Sequence, residues 1–205
     1  MTFLDNAARQ MAGAWAMAFN LDGWRDRLDR SVDGVLGSFG AFAVAAPLVA
    51  LYSVTAQRAA QRMPDYSESL YSAAPLALLL AGDLIVFAID WAVNLALLLA
   101  LSRTLGAGKE AAGLIAGFNW SQPITVAIQL PAIALVAATA SGAAGGVIGL
   151  PALALALAIS WGIVRRGLNI AIAPTTAVVA MVIVVGVTIR IFGDGAMRAL
   201  VADQS

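Results

Sequence analysis

Residues 168–189 read LNIAIAPTTAVVAMVIVVGVTI, a run of 22 residues without Asp, Glu, Lys or Arg. An α-helix needs about 20 such residues to cross the roughly 30 Å hydrocarbon core of a bilayer. Residues 35–56 and 143–164 are two more uncharged runs of the same length. As helices, these segments satisfy their backbone hydrogen bonds internally, which is the condition for crossing lipid. The sequence therefore predicts at least three transmembrane helices.

Two further windows are apolar but interrupted. Residues 73–102 contain only Asp83 and Asp90 as charged groups, and residues 111–138 are broken by the polar segment 119–123. Each window is long enough for one membrane span with an interfacial or kinked extension. The sequence thus predicts an all-α integral membrane bundle of five spans, at residues 35–56, 76–102, 111–138, 143–164 and 168–189.

Proline leaves alternatives open in both interrupted windows. Pro123 cannot donate a hydrogen bond to the Asn119 carbonyl, so residues 111–138 fit either one kinked helix or a re-entrant pair. Residues 64–68 resemble a capping box, which predicts a helix that begins outside the membrane, in the interfacial region that Tyr favours. Pro75 then marks the bend into the hydrocarbon.

The composition excludes several classes of protein. Of 205 residues, 61% are hydrophobic and 12% are charged, with a mean hydropathy of +0.87, whereas soluble domains carry about 25% charge. Twelve basic and twelve acidic residues leave no net charge to bind nucleic acid. The absence of His and Cys removes disulfides, thiolate chemistry and His-dependent triads. We therefore expect no nucleic-acid partner, no metal or other cofactor and no enzymatic activity.

The N-terminal segment 1–34 is predicted to be helical and amphipathic. Apolar residues recur at three- and four-residue steps on both sides of Gly23, which is typical of two short helices. We expect these helices to lie in the membrane interface, with Trp15 and Trp24 as anchors. A partner helix packed on the bundle and a solvated charged helix are the alternatives. The apolar stretch is too short and too polar for a secretory signal.

Lys and Arg predict the orientation, since basic loops remain on the cytoplasmic side. With the N-terminus inside, eight basic residues are cytoplasmic: Arg9, Arg25, Arg27, Arg30, Arg103, Lys109, Arg165 and Arg166. Four lie on the other side: Arg58, Arg62, Arg190 and Arg198. The count predicts that the N-terminus lies inside and that a short tail, 193–205, lies outside. We expect a multi-pass protein of the bacterial inner membrane.

Two acidic residues lie inside a predicted span. Asp83, Asp90 and Asn94 are spaced i, i+7 and i+11, so they share one helix stripe over about 16 Å of rise. Ionisable groups within the hydrocarbon are costly and are candidates for function. Without a cationic partner, Asp90 near the membrane centre is expected to be protonated. The stripe fits a proton or cation relay, or neutral acids that hydrogen-bond to polar groups or to an Arg at the end of a span.

The third span supplies possible partners for these acids. Asn119, Gln122 and Gln129 lie at spacings of three and seven, close to one face of a helix. Together with the stripe on the second span, they predict an intramembrane polar or proton site formed by Asp83, Asp90, Asn94, Asn119, Gln122 and Gln129. Ordinary interhelical hydrogen bonding is the alternative interpretation.

Other features indicate contacts with lipid and protein. Arg165 and Arg166 follow the fourth predicted span as topology anchors or contacts for anionic lipid. Gly113 and Gly117, and the glycines between 142 and 149, form small-xxx-small pairs that allow close helix packing. We therefore expect membrane lipids as partners, together with a homo-oligomer or a larger membrane complex.

The layout resembles the Yip1-like family of small membrane proteins. The resemblance rests on the amphipathic leader, five closely spaced spans, short loops and the segment Phe118-Asn119-Trp120-Ser121-Gln122 within the bundle. It implies five spans with a cytoplasmic N-terminus. The Asp-Leu-Tyr-Gly-Pro signature of the eukaryotic members is absent, so the resemblance implies the architecture and not their binding of small GTPases.

Two functions follow as hypotheses. The first is a non-enzymatic scaffold, accessory or assembly component that acts through helix–helix and lipid contacts. The alternative is a small proton- or ion-coupled permease or channel component that uses Asp90 and Asp83. No nucleotide-binding or metalloprotease motif occurs in the sequence, and five spans do not divide into an inverted repeat.

Overall fold

The computed structural model describes residues 2–63 and 68–203. The protein is 87% helical, and the described residues contain no strand. Within these two ranges the chain forms nine α-helices: α1 (Phe3–Phe19), α2 (Trp24–Arg27), α3 (Val32–Ser38), α4 (Ala41–Arg62), α5 (Leu70–Ala73), α6 (Leu76–Thr104), α7 (Ala111–Thr139), α8 (Gly142–Leu168) and α9 (Ile172–Ala202). The predicted capping box at 64–68, apart from Glu68, lies outside the described residues.

Five segments of the described chain are long and apolar enough to cross a membrane: Val32–Arg62, Leu76–Thr104, Gly108–Thr139, Gly142–Leu168 and Ile172–Ala202. This finding confirms the predicted all-α fold and is compatible with a multi-pass helical membrane bundle. The agreement has a simple origin, since the length and polarity of each run are local properties of the sequence.

The last two helices differ from the expected bounds. α8 continues to Leu168, so the Arg pair at 165 and 166 lies in its last turn and not in a loop. α9 begins at Ile172 and continues to Ala202, through most of the expected tail. Arg190 Nε lies 2.9 Å from Asp194 Oδ1, one turn further along α9. Because these charges pair within the helix, they end the apolar run without ending the helix.

Proline interrupts the chain in one of the two expected places. Pro75 is the N-cap of α6 and separates it from the short helix α5. Pro123 and Pro131, in contrast, lie inside α7, which is one continuous helix. The Thr125 hydroxyl donates to the Gln122 carbonyl at 2.9 Å and adds a local hydrogen bond beside Pro123. The window 111–138 is therefore a single helix and not a re-entrant pair.

The five long helices form a ring of neighbours. α4 packs against α7, α7 against α8, α8 against α9, α9 against α6, and α6 again against α4. The main core lies at one end of this ring, where the largest fully buried side chains meet: Leu98, Leu114, Trp120, Ile159, Ile163 and Leu168. Between helices in lipid, such contacts stabilise mainly through close van der Waals packing. The other end of the ring is less filled.

α1 covers the packed end of the ring. Its fully buried residues, among them Ala14 and Met17, contact α7 and α8, while Leu4 and Trp15 are exposed. The apolar stripe expected to face lipid is thus divided: Leu4 and Trp15 point away from the protein, whereas Met11 and Phe19 pack against the core. Trp24 differs from the expectation, because its indole is buried within the protein and not at the surface.

The second expected N-terminal helix is divided into α2 and α3. The Asp29 carboxylate accepts hydrogen bonds from the Ser31 hydroxyl at 2.7 Å and from the Ser31 backbone amide at 3.0 Å. The Ser31 hydroxyl then accepts from the Gly34 amide and caps α3. Side chains that bond the local backbone in this way compete with a continuous helix. These bonds also lower the pKa of Asp29 below its ordinary value, the hydroxyl contributing most.

Candidate functional site

A cavity of about 230 Å³ lies within the helix ring, between α4, α6, α7 and α9. Four of its lining residues are apolar: Val49, Val86, Phe87 and Val126. Its other lining residues are Tyr52, Asp83, Asp90, Gln129, Gly186 and Arg190. The cavity therefore brings Asp83 and Asp90 of α6 together with Gln129 of α7. We call it the acidic cavity.

Glycine brings α6 and α9 close together beside the acidic cavity. A Cβ atom at Gly82 would meet the Met197 side chain, and one at Gly193 would meet Val86. At Gly186, a Cβ would lie 3.0 Å from Asp90 Oδ1. Small residues let helix backbones approach each other in a membrane. Here they also let the acidic stripe of α6 lie directly against α9.

Asp83 is the centre of a buried ionic cluster. Its side chain is 3% exposed, and Arg190 Nη1 lies 2.8 Å from Asp83 Oδ1. The Ser53 hydroxyl donates to Asp83 Oδ2 at 2.5 Å, and the Tyr71 hydroxyl lies 2.9 Å from both carboxylate oxygens. Every oxygen of this carboxylate thus has a donor, and its charge has a cation. Such full pairing is what makes a buried charge tolerable.

Tyr71 joins the short helix α5 to this cluster. Its hydroxyl donates to Asp83 and accepts a hydrogen bond from Arg190 Nη2. Burial raises the pKa of the Tyr71 hydroxyl above its ordinary value, and the Asp83 charge raises it further, against the opposing effect of Arg190. The neutral hydroxyl is therefore the form that contacts Asp83 and Arg190.

Asp90 differs from Asp83 although both lie on one stripe. Its carboxylate accepts a hydrogen bond from Asn94 Nδ2 at 2.8 Å. Within the described ranges, no Lys or Arg nitrogen lies within 4.0 Å of it, since the two ion pairs found there are formed by Arg190 with Asp83 and Asp194. Asn94 is 3% exposed, and its Oδ1 has no hydrogen-bond partner among the same residues. The pair therefore presents both a carboxylate without a cation and a buried acceptor without a donor.

Gln129 connects the acidic cavity with a second one. A cavity of about 220 Å³ lies between α4, α7 and α8, and Tyr52 and Gln129 line both spaces. The second cavity is otherwise lined by aliphatic residues and glycine. Tyr52 and Gln129 therefore form a polar wall that the two cavities share, on the side of the acidic cavity away from α9.

The other two predicted amides lie elsewhere. Asn119 is completely buried, accepts from Trp91 Nε1 at 2.8 Å and donates to the Ser38 hydroxyl at 2.8 Å. It thereby joins α7 to α6 and to α3. Gln122 lies 3.5 Å from the Phe118 carbonyl of its own helix. Neither lines the acidic cavity. Asn119 therefore has a structural role, because its hydrogen bonds link three helices. This agrees with the alternative interpretation, ordinary interhelical hydrogen bonding.

Three residues of the cluster escaped the sequence analysis: Ser53, Tyr71 and Arg190. The count of basic residues places Arg190 outside the predicted spans, and no pattern in the sequence connects Tyr71 with the acids. Asp194, four residues after Arg190, was the available signal that α9 continues, because i,i+4 charge pairs stabilise helices. Ser53 gave no signal, since serine is common in membrane helices.

The remaining predicted anchors, Arg165 and Arg166, lie in the last turn of α8, next to the end of α1. In the part of the chain that the structure describes, no group of three or more His, Cys, Asp or Glu side chains could hold a metal ion.

Comparisons with protein-family models, with curated proteins and with solved structures each find no match to this chain. The resemblance to the Yip1-like family therefore stays a prediction about architecture.

Proposed function

We propose that the protein is a small, non-enzymatic permease or channel component of a membrane, in which Asp90 binds and releases a proton or a small monovalent cation. One observation carries the proposal: the Asp90 carboxylate faces a cavity in a ring of apolar helices without a cationic partner within 4.0 Å among the described residues. Ionisable groups at such positions mark ion pathways in many membrane proteins.

Asn94 supports the same proposal. If the Asn94 amide turns by 180°, its Oδ1, which lacks a partner, can accept a hydrogen bond from a protonated Asp90 or bind a cation beside it. An unsatisfied buried acceptor costs about 1–3 kcal/mol. Loading the site therefore relieves a cost that the unloaded site carries. Asp83 does not share this property, because Arg190 already neutralises it.

The proposal is tested by reconstituting the purified protein into lipid vesicles that enclose a pH-sensitive dye. A proton gradient, or a K⁺ or Na⁺ gradient with a protonophore, is then imposed. We expect a flux that Asp90→Asn lowers to the level of empty vesicles. Asp33→Asn is the matched control, since it removes an exposed carboxylate of α3 and should leave the flux unchanged.

Gly186→Ala tests the geometry without changing any charge. The new methyl group would lie 3.0 Å from Asp90 Oδ1, so we expect it to reduce the flux. No flux with any gradient, or equal flux in wild type and Asp90→Asn, contradicts the proposal.

An assembly role is the second candidate, and one observation favours it. A Cβ atom at Gly146 of α8 would meet nothing within 4 Å, and the neighbouring Val147 and Leu150 are 75% and 69% exposed. A second helix could therefore approach this face of α8 closely. Native mass spectrometry in mild detergent would detect a homo-oligomer or a larger complex, which Gly146→Leu should dissociate.

We further propose a location in the bacterial inner membrane with the N-terminus in the cytoplasm. The support is the count of eight basic residues at the end of the bundle that carries α1 against four elsewhere. Because the chain contains no Cys, Thr2→Cys and Asp203→Cys each introduce a single thiol. A membrane-impermeant maleimide added to intact cells should label only the second.

A further inference from the structure

A separate polar cavity lies at the end of the bundle that α1 covers. It has a volume of about 390 Å³ and opens between the end of α1, the start of α2 and the corner from α8 to α9. Its lining differs in kind from that of the acidic cavity. It consists of Asn20, Trp24, Arg25, Arg165, Arg166 and Asn169, together with Ile170. The lining thus contains three guanidinium groups and no carboxylate.

Two of the three arginines are held in place without being neutralised. The Arg25 guanidinium lies 4.4 Å from the ring centre of Trp24, and that of Arg165 lies 4.9 Å from the ring centre of Trp161. Neither forms an ion pair within 4.0 Å in the described part of the chain. Stacking on an indole orients a guanidinium and leaves its N–H groups available.

Arg166 has a structural role at the same place. It donates to the Ala18 carbonyl at 2.7 Å and to Asn20 Oδ1 at 3.1 Å. These bonds tie the end of α8 to the end of α1 and so complete the cavity wall. They also fix a positive charge beside Arg165, and two adjacent like charges repel each other unless an anion lies near them.

We propose that this cavity binds a phosphate group, carried by an anionic lipid headgroup or present as free phosphate. The guanidinium fork of Arg25 and that of Arg165 each match two phosphate oxygens. The cavity lies where two candidate spans, α8 and α9, meet their connecting turn. Phosphate headgroups occupy this depth in a bilayer, and basic pockets between helices bind them. The inference is independent of the proposed flux through the acidic cavity.

The test uses the full-length protein in mild detergent. Equal amounts of phosphatidylglycerol and phosphatidylcholine are added, and native mass spectrometry counts the lipids retained. The variant Arg25→Gln/Arg165→Gln removes the two available guanidiniums and spares Arg166. The control Arg27→Gln/Arg103→Gln removes two exposed charges that do not line this cavity. Helix content by circular dichroism confirms that both variants fold.

We expect the wild type and the control to retain phosphatidylglycerol preferentially, and the Arg25/Arg165 variant to bind it about thirtyfold more weakly, the order expected when two cations leave an anionic contact. A lipid headgroup is the ligand if excess inorganic phosphate does not displace phosphatidylglycerol. Free phosphate is the ligand if phosphate alone quenches tryptophan fluorescence in the wild type and not in the variant. Equal retention of the two lipids without a phosphate effect, or equal losses in both variants, overturns the proposal.

Discussion

Asp83 and Asp90 lie two turns apart on one face of α6, yet their surroundings are opposite. Asp83 is paired with Arg190 and accepts hydrogen bonds from Ser53 and Tyr71. Asp90 has one amide donor, Asn94, and no cation within 4.0 Å among the described residues. Both carboxylates line the acidic cavity. The same residue type at equivalent helical positions therefore meets two different electrostatic environments.

This difference distinguishes Asp83, whose ion pair stabilises the structure, from Asp90, which has no cationic partner among the described residues. A buried ion pair with all its hydrogen bonds is rigid, and removing one partner leaves an uncompensated charge. A carboxyl group without a cation has no such fixed partner, and under the proposed function it binds and releases a proton or an ion. Variants of Asp83 and its partners should therefore change stability first, whereas variants of Asp90 should change transport first.

The largest expected effect is that of Arg190→Gln, which leaves Asp83 without its cation. We expect a loss of about 3 kcal/mol in the free energy of unfolding, the lower end of the range for buried pairs, because the Arg190 side chain is 39% exposed. Detergent-to-SDS titration followed by circular dichroism measures it. The double variant Arg190→Gln/Asp83→Asn should recover part of the loss. If the single variant is as stable as wild type, the ion pair does not stabilise the fold.

Asn119→Ala should have the next largest effect. It removes the acceptor of Trp91 Nε1 and a hydrogen bond to Ser38 in a fully buried position. Leaving a buried donor unpaired costs about 2 kcal/mol. The matched control is Gln122→Ala on the same helix, whose amide contacts only its own backbone and should cost less than about 0.5 kcal/mol. An equal loss of unfolding free energy in the two variants would contradict a structural role for the hydrogen bonds of Asn119.

Tyr71→Phe should lower the free energy of unfolding by about 1.5 kcal/mol. Hydrogen bonds to charged groups contribute roughly 1.5–3 kcal/mol, and the lower value applies because Tyr71 is partly exposed. The stabilisation by the Tyr71 hydroxyl should depend on pH. Burial raises the pKa of Tyr71 above its ordinary value of 10.0, so the unfolded chain releases this proton first. The stabilisation is complete below about pH 10 and declines as the pH rises further toward the raised value.

The pH dependence is measured from unfolding midpoints between about pH 8 and pH 11. Wild type should lose more stability over this range than Tyr71→Phe, which has no hydroxyl to titrate. Parallel curves for the two proteins would show that the Tyr71 hydroxyl does not stabilise the cluster.

The smallest change in stability is expected for Asp90→Asn. Asparagine keeps the shape of the side chain and removes a charge that has no cationic partner, so the free energy of unfolding should change by less than about 0.5 kcal/mol. The same variant is the one expected to abolish the flux. If it destabilises the protein as strongly as Arg190→Gln, then Asp90 is a structural residue and the contrast with Asp83 fails.

The sequence predicted part of the site. The spacing of Asp83, Asp90 and Asn94 placed them on one helix face, and Gln129 joined both acids at one cavity. The spacings of three and seven group Asn119 and Gln122 with Gln129 on one face of α7, but Asn119 hydrogen-bonds to Trp91 of α6 and Ser38 of α3. Spacing along one helix cannot specify which neighbour each face meets.

By itself, the sequence determined the five apolar helices, since the cost of polar groups in lipid depends only on local length and composition. The tertiary structure alone decided which acid is neutralised. Arg190 reaches Asp83 across 107 positions of the chain, and it does so because glycines at 82, 186 and 193 bring α6 and α9 into close contact in one antiparallel register. A shift of two turns in that register would place the cation beside Asp90, so the packing of two helices decided which acid stayed without a cation.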